Sequence, residues 1–477
     1  MAQMLEQLKP ELLTLCAALV VILADLIQVR GRRKWIGWFS AALAIAVVFT
    51  LAGEWGKLAQ PISLWGGVMV LDRLGLLFKV IFLLGVAVAS VGSIDFAAQR
   101  FRHIGEYYGM LFFSAFGMML MASAGDLLTL YLGLEVASLS LYVLAAYAKA
   151  SPRSGEAGMK YIILGATASA IYLYGASLIY GAVGTTLFGT ISHHVSLEGV
   201  HPGLAVGGVF VLAAFAFKIA AVPFHMWAPD VYQGAPTPVT GFLSTASKAA
   251  GFAAIIRVLL GPMLHGASGW LVFVIALSGM SMVVGNLLAL PQRDIKRMLA
   301  YSGVAQAGYA LVGIAAASNL GTLATIFFLF QYLFTNLGAF LVVTIVGSSV
   351  GDDQITSYHG LRGRNPGLAL AMLVILLSLG GIPPLSGFWG KVFLFWAGVK
   401  SGLYGLVLIG VMASVLSLYY YLMVARAMYI EPAADRPPVR LQLPAVIAII
   451  ICVLVVVGLA YPGPLISLAT KAAAGFF

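Results

Sequence analysis

Four ionisable residues stand in stretches that are otherwise apolar. Glu135 lies in LLTLYLGLEVASLSLYVLAAY, Lys218 in GGVFVLAAFAFKIAAVPF, Lys248 in GFLSTASKAAGFAAII and Lys391 in GIPPLSGFWGKVFLF. A charge at the centre of a membrane span costs roughly 2.5–3.5 kcal/mol on insertion scales, and such residues mark ion or proton paths. A glutamate and a lysine within about 4–6 Å hold each other charged, and separating them releases that hold. A row of such groups joined by water passes protons, because each lysine can be ammonium or amine. Arginine cannot deprotonate in a protein, and the basic residues read as lying inside spans here are all lysine. His225 and Lys160 are weaker members of the same set. Each residue has a plainer alternative. Lys218 near a helix end would snorkel to the headgroups, Glu135 would tie two helices together, and Lys248 would cap polar backbone. Lys391 would sit near the outer interface, Lys160 would be an edge lysine, and His225 a hydrogen-bonded core histidine.

The spacing around Lys218 favours the first reading. Pro223 follows five residues later, has no N–H to give, and clashes with the carbonyl four residues back. Irregular backbone at membrane depth is tolerated only where protein buries it or it lines a wet cavity. Glu135 and Lys218 are therefore expected to approach closely. Lys391 follows the Pro383–Pro384 pair, where Leu379 and Gly380 lose their helical donors. Those carbonyls and Ser386 are expected around its ammonium, as the terminal proton-loading site of the row.

The elements that must position these groups follow from composition. The chain has 477 residues, 61% hydrophobic and 9% charged, which excludes a soluble globular domain. It reads as an all-α polytopic membrane protein with fourteen apolar runs long enough to span. Runs 204–231 and 366–398, the seventh and twelfth, contain internal prolines and read as broken. The breaks lie five spans apart, so spans 4–8 and 9–13 read as two inverted five-helix repeats, a pattern that places a transport site at the midplane. The resulting units are 1–105 (helices 1–3), 106–261 (first repeat), 268–429 (second repeat) and 430–477 (helix 14). The net charge of +10 reports topology, not nucleic acid. Arg30, Arg32, Arg33, Lys34, Arg100, Arg102, Lys149, Arg153, Arg293, Lys296, Arg297, Arg362, Arg364, Arg426, Arg436 and Arg440 crowd the odd-numbered loops. Those loops are read as cytoplasmic, and both termini as periplasmic.

Other signals are weaker. His193, His194 and His201 fall in a polar 184–203 loop without a cysteine or carboxylate spacing, so no metal site is assigned. Cys16 and Cys452 are isolated. Asp126 reads as an N-cap, and Asp72 with Arg73 as an interface pair. MAQMLEQLKPELL does not read as a targeting segment. No phosphate-cradling glycine motif, haem ligand pair or cysteine cluster is present.

The stretches GLEVASLSLYVLAAY, FKIAAVPFHMWAPDVYQGAPTPVTGFLSTASK, RDIKRMLAYSGVAQAGY and GIPPLSGFWGKVFLF resemble the antiporter-like membrane subunits of respiratory complex I. The resemblance implies a proton-translocating subunit without a redox centre of its own, in a bacterial inner membrane. It implies Glu135, Lys218, Lys248 and Lys391 as the proton pathway. It also implies that NADH, FMN, iron–sulfur clusters and quinone bind in partner subunits of the membrane and peripheral arms. One sister subunit carries glutamate in span twelve, against Lys391 here, and another continues into a long lateral helix. Gln306 stands where many relatives have histidine; glutamine can hold water but cannot titrate. The alternatives are a subunit of a multi-subunit sodium/proton antiporter or of a membrane-bound hydrogenase, and a structural scaffold whose charges only join helices.

Overall fold

The computed structural model describes residues 6–27, 34–261, 268–433 and 437–474. Arg30, Arg32, Arg33 and Arg436 lie outside the described residues. The chain folds as a helical bundle because its apolar runs satisfy their backbone groups internally, the requirement of a lipid environment. The helices are α1 (Lys9–Ile27), α2 (Trp35–Lys57), α3 (Arg73–Gly92), α4 (Ile104–Ser123), α5 (Leu127–Ala145), α6 (Pro152–Val183), α7 (Phe188–Glu198), α8 (Pro202–Ile219) and α9 (Trp227–Gly234). Then follow α10 (Thr237–Leu260) and α11 (Ser268–Ala289), α12 (Ile295–Ala315), α13 (Asn319–Val350), α14 (Pro366–Gly380), α15 (Ser386–Lys400), α16 (Tyr404–Tyr429), α17 (Leu443–Gly458) and α18 (Gly463–Ala473). A small antiparallel hairpin, Ile62–Leu64 with Met69–Leu71, joins α2 to α3.

Among the described residues, twelve helices are long and apolar enough to cross a membrane, or thirteen if the pair α17–α18, bent by 83°, is one span. The difference from fourteen has a physical cause. The twelfth apolar run does not form one helix: α14 stops at Gly380 and α15 begins at Ser386. The seventh run is divided too, with α8 ending at Ile219 and α9 starting at Trp227.

α10 is buried along its whole length, and α12 and α13 almost so. α13 packs against α10, α12, α14, α15, α17 and α18 and forms the axis of the C-terminal half. Close helix approach uses small residues. A Cβ on Gly117 of α4 would lie 2.7 Å from the Gly133 carbonyl of α5, so any larger residue would force those backbones apart. α5 begins at Asp126, as expected of an N-cap: its carboxylate accepts from Thr129 N at 2.9 Å and Leu128 N at 3.3 Å.

Several charges sit where the sequence did not place them. Asp72 does not pair with Arg73. It caps α3 by accepting from Gly75 N at 2.7 Å, and its two oxygens receive Arg257 Nη1 and Nη2 of α10 at 2.5 and 2.6 Å. Arg73 instead donates to the Leu58 carbonyl at 2.8 Å. Lys79 of α3 and Glu11 of α1 form a second buried pair at 2.6 Å. Lys296, counted as a loop residue, is buried in the first turn of α12 and donates to the Ala235 carbonyl at 2.7 Å. The buried bases are therefore not all candidates for proton transfer, and Arg257 is one of them. The stretch 184–203 is not simply a loop either, since it contains α7.

Removing one partner of a buried ion pair leaves the other charge uncompensated, at a cost of about 3–5 kcal/mol. Lys79→Met is expected to destabilise the protein by that order, and Glu11→Leu combined with Lys79→Met to recover most of the loss. Thermal unfolding of the two variants checks this. A double variant as unstable as the single one would mean that the two charges do not compensate each other.

Candidate functional site

The first break is made by local geometry. Ala220 takes a left-handed conformation with φ of 59°. Ala221 N donates to the Ala216 carbonyl at 2.8 Å and Ala220 N to Phe217 at 3.0 Å, the double closure of a helix C-terminus. Part of the freed backbone finds partners within the protein. Val222 N donates to Ser281 Oγ at 2.9 Å, and Trp227 Nε1 donates to the Phe217 carbonyl at 2.9 Å. Lys218 lies two residues before this closure and is buried.

Lys218 does not form a direct ion pair with Glu135. Its Nζ donates to Ser138 Oγ at 2.8 Å, and Glu135 accepts instead from Ser169 Oγ of α6. The reason is the helical turn. Glu135 is half-buried, with its oxygen toward α6, while Ser138, three residues on, presents its hydroxyl to Lys218. Ser138 thus supplies the acceptor for Lys218 on the helix that carries Glu135, and it was missed in the sequence because a serine in an apolar helix carries no distinctive pattern.

Lys248 follows a π-helical turn, Leu243–Ser247, in α10. Such bulges recur at functional sites. Its Nζ donates to the Gly303 carbonyl of α12 at 2.5 Å and lies 5.8 Å from the centre of the Tyr332 ring. One turn further, a Cβ on Gly251 would lie 3.4 Å from Lys218 Cγ, so the two lysine-bearing helices touch there.

The second break repeats the first. Gly381 is left-handed with φ of 86°. Ile382 N donates to Leu377 at 3.0 Å and Gly381 N to Ser378 at 2.9 Å, the same pair of closures as at Ala221 and Ala220. Lys391 reaches back from α15 and donates to the Leu379 and Gly380 carbonyls at 3.0 Å each. The negative end of the α14 dipole thus faces the ammonium. The hydroxyl beside it is Ser414 at 2.8 Å, not Ser386, which contacts Ser378 Oγ at 3.3 Å and Gln331 Oε1 at 3.5 Å. Lys391 also stands 4.8 Å from the Tyr309 ring centre.

A polar thread runs between Lys248 and Lys391. Ser302, next to Gly303, shares a hydrogen bond of 2.5 Å with the Tyr421 hydroxyl. Gln306 Nε2 donates to that hydroxyl at 3.3 Å and to the Leu379 carbonyl at 3.1 Å, the carbonyl that also holds Lys391. Alongside it, Tyr420 donates to Asn286 Oδ1 at 2.8 Å. Ser302, Tyr421 and Ser414 escaped sequence reading because only folding brings them together.

Lys160 and His225 sit apart from this thread. Lys160 is half-buried and donates to Asp230 Oδ2 at 2.8 Å while pairing with Glu156 at 2.9 Å. Arg297 joins the same Asp230 at 2.6 Å, so this group ties α6, α9 and α12 at one end of the bundle. Nearby, burial pushes the Asp353 carboxyl above its usual range, with the Lys296 ammonium opposing the shift. His225 is half-buried, its Nδ1 has no partner, and its ring centre lies 6.4 Å from that of Tyr301.

Comparison with known proteins identifies the family and the fold. A family model described as NADH:quinone oxidoreductase/Mrp antiporter, TM matches residues 124–417, which hold both breaks and all four ionisable groups. The NADH-quinone oxidoreductase subunit N of Moorella thermoacetica is 43% identical over 476 residues, covering 99% of each chain. A chain in the structure of respiratory complex I from Thermus thermophilus with bound aureothin superposes with a TM-score of 0.81 at 32% identity, covering 97% of this chain and 99% of that one. A chain of a membrane-bound sulfane sulfur reductase, an archaeal respiratory membrane complex, gives a TM-score of 0.87 at 25% identity, covering 98% and 97%. The chain belongs to the NADH:quinone oxidoreductase/Mrp antiporter transmembrane family, among the relatives named NADH-quinone oxidoreductase subunit N.

Proposed function

We propose that this chain is a proton-translocating membrane-arm subunit of a bacterial NADH-quinone oxidoreductase. Protons move along Glu135, Lys218, Lys248 and Lys391, and quinone reduction in partner subunits drives them. The carrying observation is how the three lysines are held. Each ammonium donates to neutral acceptors: Ser138 Oγ for Lys218, the Gly303 carbonyl for Lys248, and two carbonyls with Ser414 for Lys391. Those acceptors serve an amine as well as an ammonium, so each site keeps its geometry when the proton leaves. Lys79, bound to Glu11, is built differently and reads as structural. Hydroxyls both donate and accept, so Ser302 and Tyr421 can hand a proton on. A carbonyl only accepts, so the Leu379 oxygen, which takes a hydrogen bond from Gln306 and from Lys391 together, links the two without itself passing a proton. Lys160 and His225 stay outside the row as auxiliary groups.

Moving one charge against 100 mV costs about 2.3 kcal/mol, and this energy comes from the partners. NADH, FMN, iron–sulfur clusters and quinone are assigned to other membrane-arm and peripheral-arm subunits. Cys16 and Cys452 are both free thiols, one exposed and one buried, and do not make the four-thiolate set a cluster uses. The chain is placed in the inner membrane with fourteen crossings, counting α14–α15 and α17 as spans, and both termini periplasmic. The shared closures at Ala220 and Gly381 support two inverted repeats, within 106–261 and 268–429. Helices 1–3 within 1–105 and the segment 430–477 flank them.

Three measurements bear on this reading. Reporter fusions after Arg33 and after Phe477 are expected on opposite sides of the membrane; the same side for both would overturn the crossing count. In vesicles holding the reconstituted complex, Lys391→Ala is expected to lower proton pumping by about tenfold or more, the scale of a positioned acid–base group, with the complex still assembled. Lys391→Arg is also expected to impair pumping, because it keeps the charge and cannot release a proton. Pumping by the arginine variant at the unaltered rate and stoichiometry would leave Lys391 a structural charge. Tyr421→Phe removes the hydroxyl between Ser302 and Gln306 and is expected to slow pumping several-fold. Unchanged pumping in that variant would take the thread out of the pathway.

A further inference from the structure

We infer that His194, Glu198 and His201 form a divalent-metal site of the zinc class, where α7 meets the first turn of α8. The three offer one ligand atom each, all within 4.8 Å of one another. His194 Nδ1 lies 3.7 Å from Glu198 Oε1, and His201 Nε2 lies 3.6 Å from Glu198 Oε2. The imidazole centres are 5.7 Å apart at 50°.

The sequence builds this arrangement in two steps. Phe188, Ile191 and Val195 bury one face of α7. His194 and Glu198, four residues apart, then share the adjacent face, the separation at which two helical side chains meet. Gly199 ends the helix with φ of 77° and ψ of −162°, a conformation that glycine adopts without steric penalty. The reversal brings His201, at the start of α8, back beside Glu198. The carboxylate that the histidine-rich stretch appeared to lack is therefore Glu198.

The donor set selects the metal. Two imidazole nitrogens and one carboxylate oxygen, with a fourth position open to water, suit zinc and its borderline neighbours; magnesium and calcium take oxygen ligands. Zinc holds nitrogen and oxygen at about 2.0–2.1 Å, which in a tetrahedron separates ligand atoms by about 3.3 Å. The two nitrogen–oxygen separations, 3.7 and 3.6 Å, already lie close to that value. The only ion pairs of Glu198 among the described residues are with the two histidines, so no lysine or arginine competes for the carboxylate. His194 Nε2 is buried without a partner, so a ring rotation offers a second nitrogen at no loss of an existing bond. His193 is exposed, on another face, and plays no part. A bound ion would fasten the end of α7 to the start of α8, the helix whose far end carries Lys218.

The test uses the purified assembly containing the full chain, exposed to Zn2+ and then desalted. Bound zinc per assembly is measured by elemental analysis for the unaltered protein, His201→Ala and Glu198→Gln. The His201 side chain makes no capping hydrogen bond to α8, so its replacement leaves the helix start intact. Copurification of the other subunits establishes assembly for both variants. The unaltered protein is expected to retain one more zinc ion than either variant, and the difference X-ray absorption spectrum to show two imidazole ligands. Equal zinc in all three proteins overturns the site, as does a difference spectrum without imidazole scattering.

Discussion

The structure depends on one constraint: a helix that stops inside a membrane must find partners for every backbone group it frees. At Ala220 and Gly381 the chain meets it by turning left-handed and folding the next two N–H groups back onto the preceding turn. Side chains from elsewhere take up further groups, Ser281 and Trp227 at one break and Lys391 at the other. The breaks therefore create the environment in which a lysine can be held at depth without a carboxylate. Gly381 shows how tight this is: a Cβ there would lie 3.0 Å from Lys391 Cδ.

Two kinds of buried charge coexist in the chain, and the contrast gives each its meaning. Arg257 with Asp72 and Lys79 with Glu11 are opposite charges in direct contact, joining α10 to α3 and α3 to α1. Such pairs specify which helices meet, and they lose their purpose if either charge is lost. Lys218, Lys248 and Lys391 are held by hydroxyls and carbonyls. The first group fixes the scaffold, and the second is the set proposed to change state.

The apolar runs and the positions of both breaks were legible in the sequence, because hydropathy and proline act locally. The three lysines were legible because a charge within an apolar run is conspicuous. What could not be read was pairing over distance. Asp72 looked like a partner for its neighbour Arg73, yet its guanidinium comes from α10, 185 residues away. Lys79 was passed over because its partner Glu11 lies in the mixed-charge N-terminal stretch. A direct Glu135–Lys218 pair is what charge alone suggests, but the direction each side chain takes from its helix gives Lys218 the Ser138 hydroxyl and Glu135 the Ser169 hydroxyl. Glu198 was within reach of sequence reasoning, four residues after His194, but taking the stretch for a loop hid the helical spacing.

The linkage through Ser302 and Tyr421 has a consequence for throughput. A hydroxyl has a single hydrogen, so at any moment a chain of hydroxyls points one way along its length. When a proton enters at one end and another leaves at the far end, every hydroxyl in the chain is left pointing backwards. A second proton cannot follow until each has rotated home. Tyr421 bonds Ser302 and accepts from Gln306 Nε2, so a hydrogen turned toward Gln306 meets a donor, and the reversal requires the amide to shift as well. On the proposed pathway the Ser302–Tyr421 pair would carry a polarity that each passage reverses, and restoring it would separate one transfer from the next. Such a pair would work there as a stepper and not as an open channel, with orientation holding back leakage at this link.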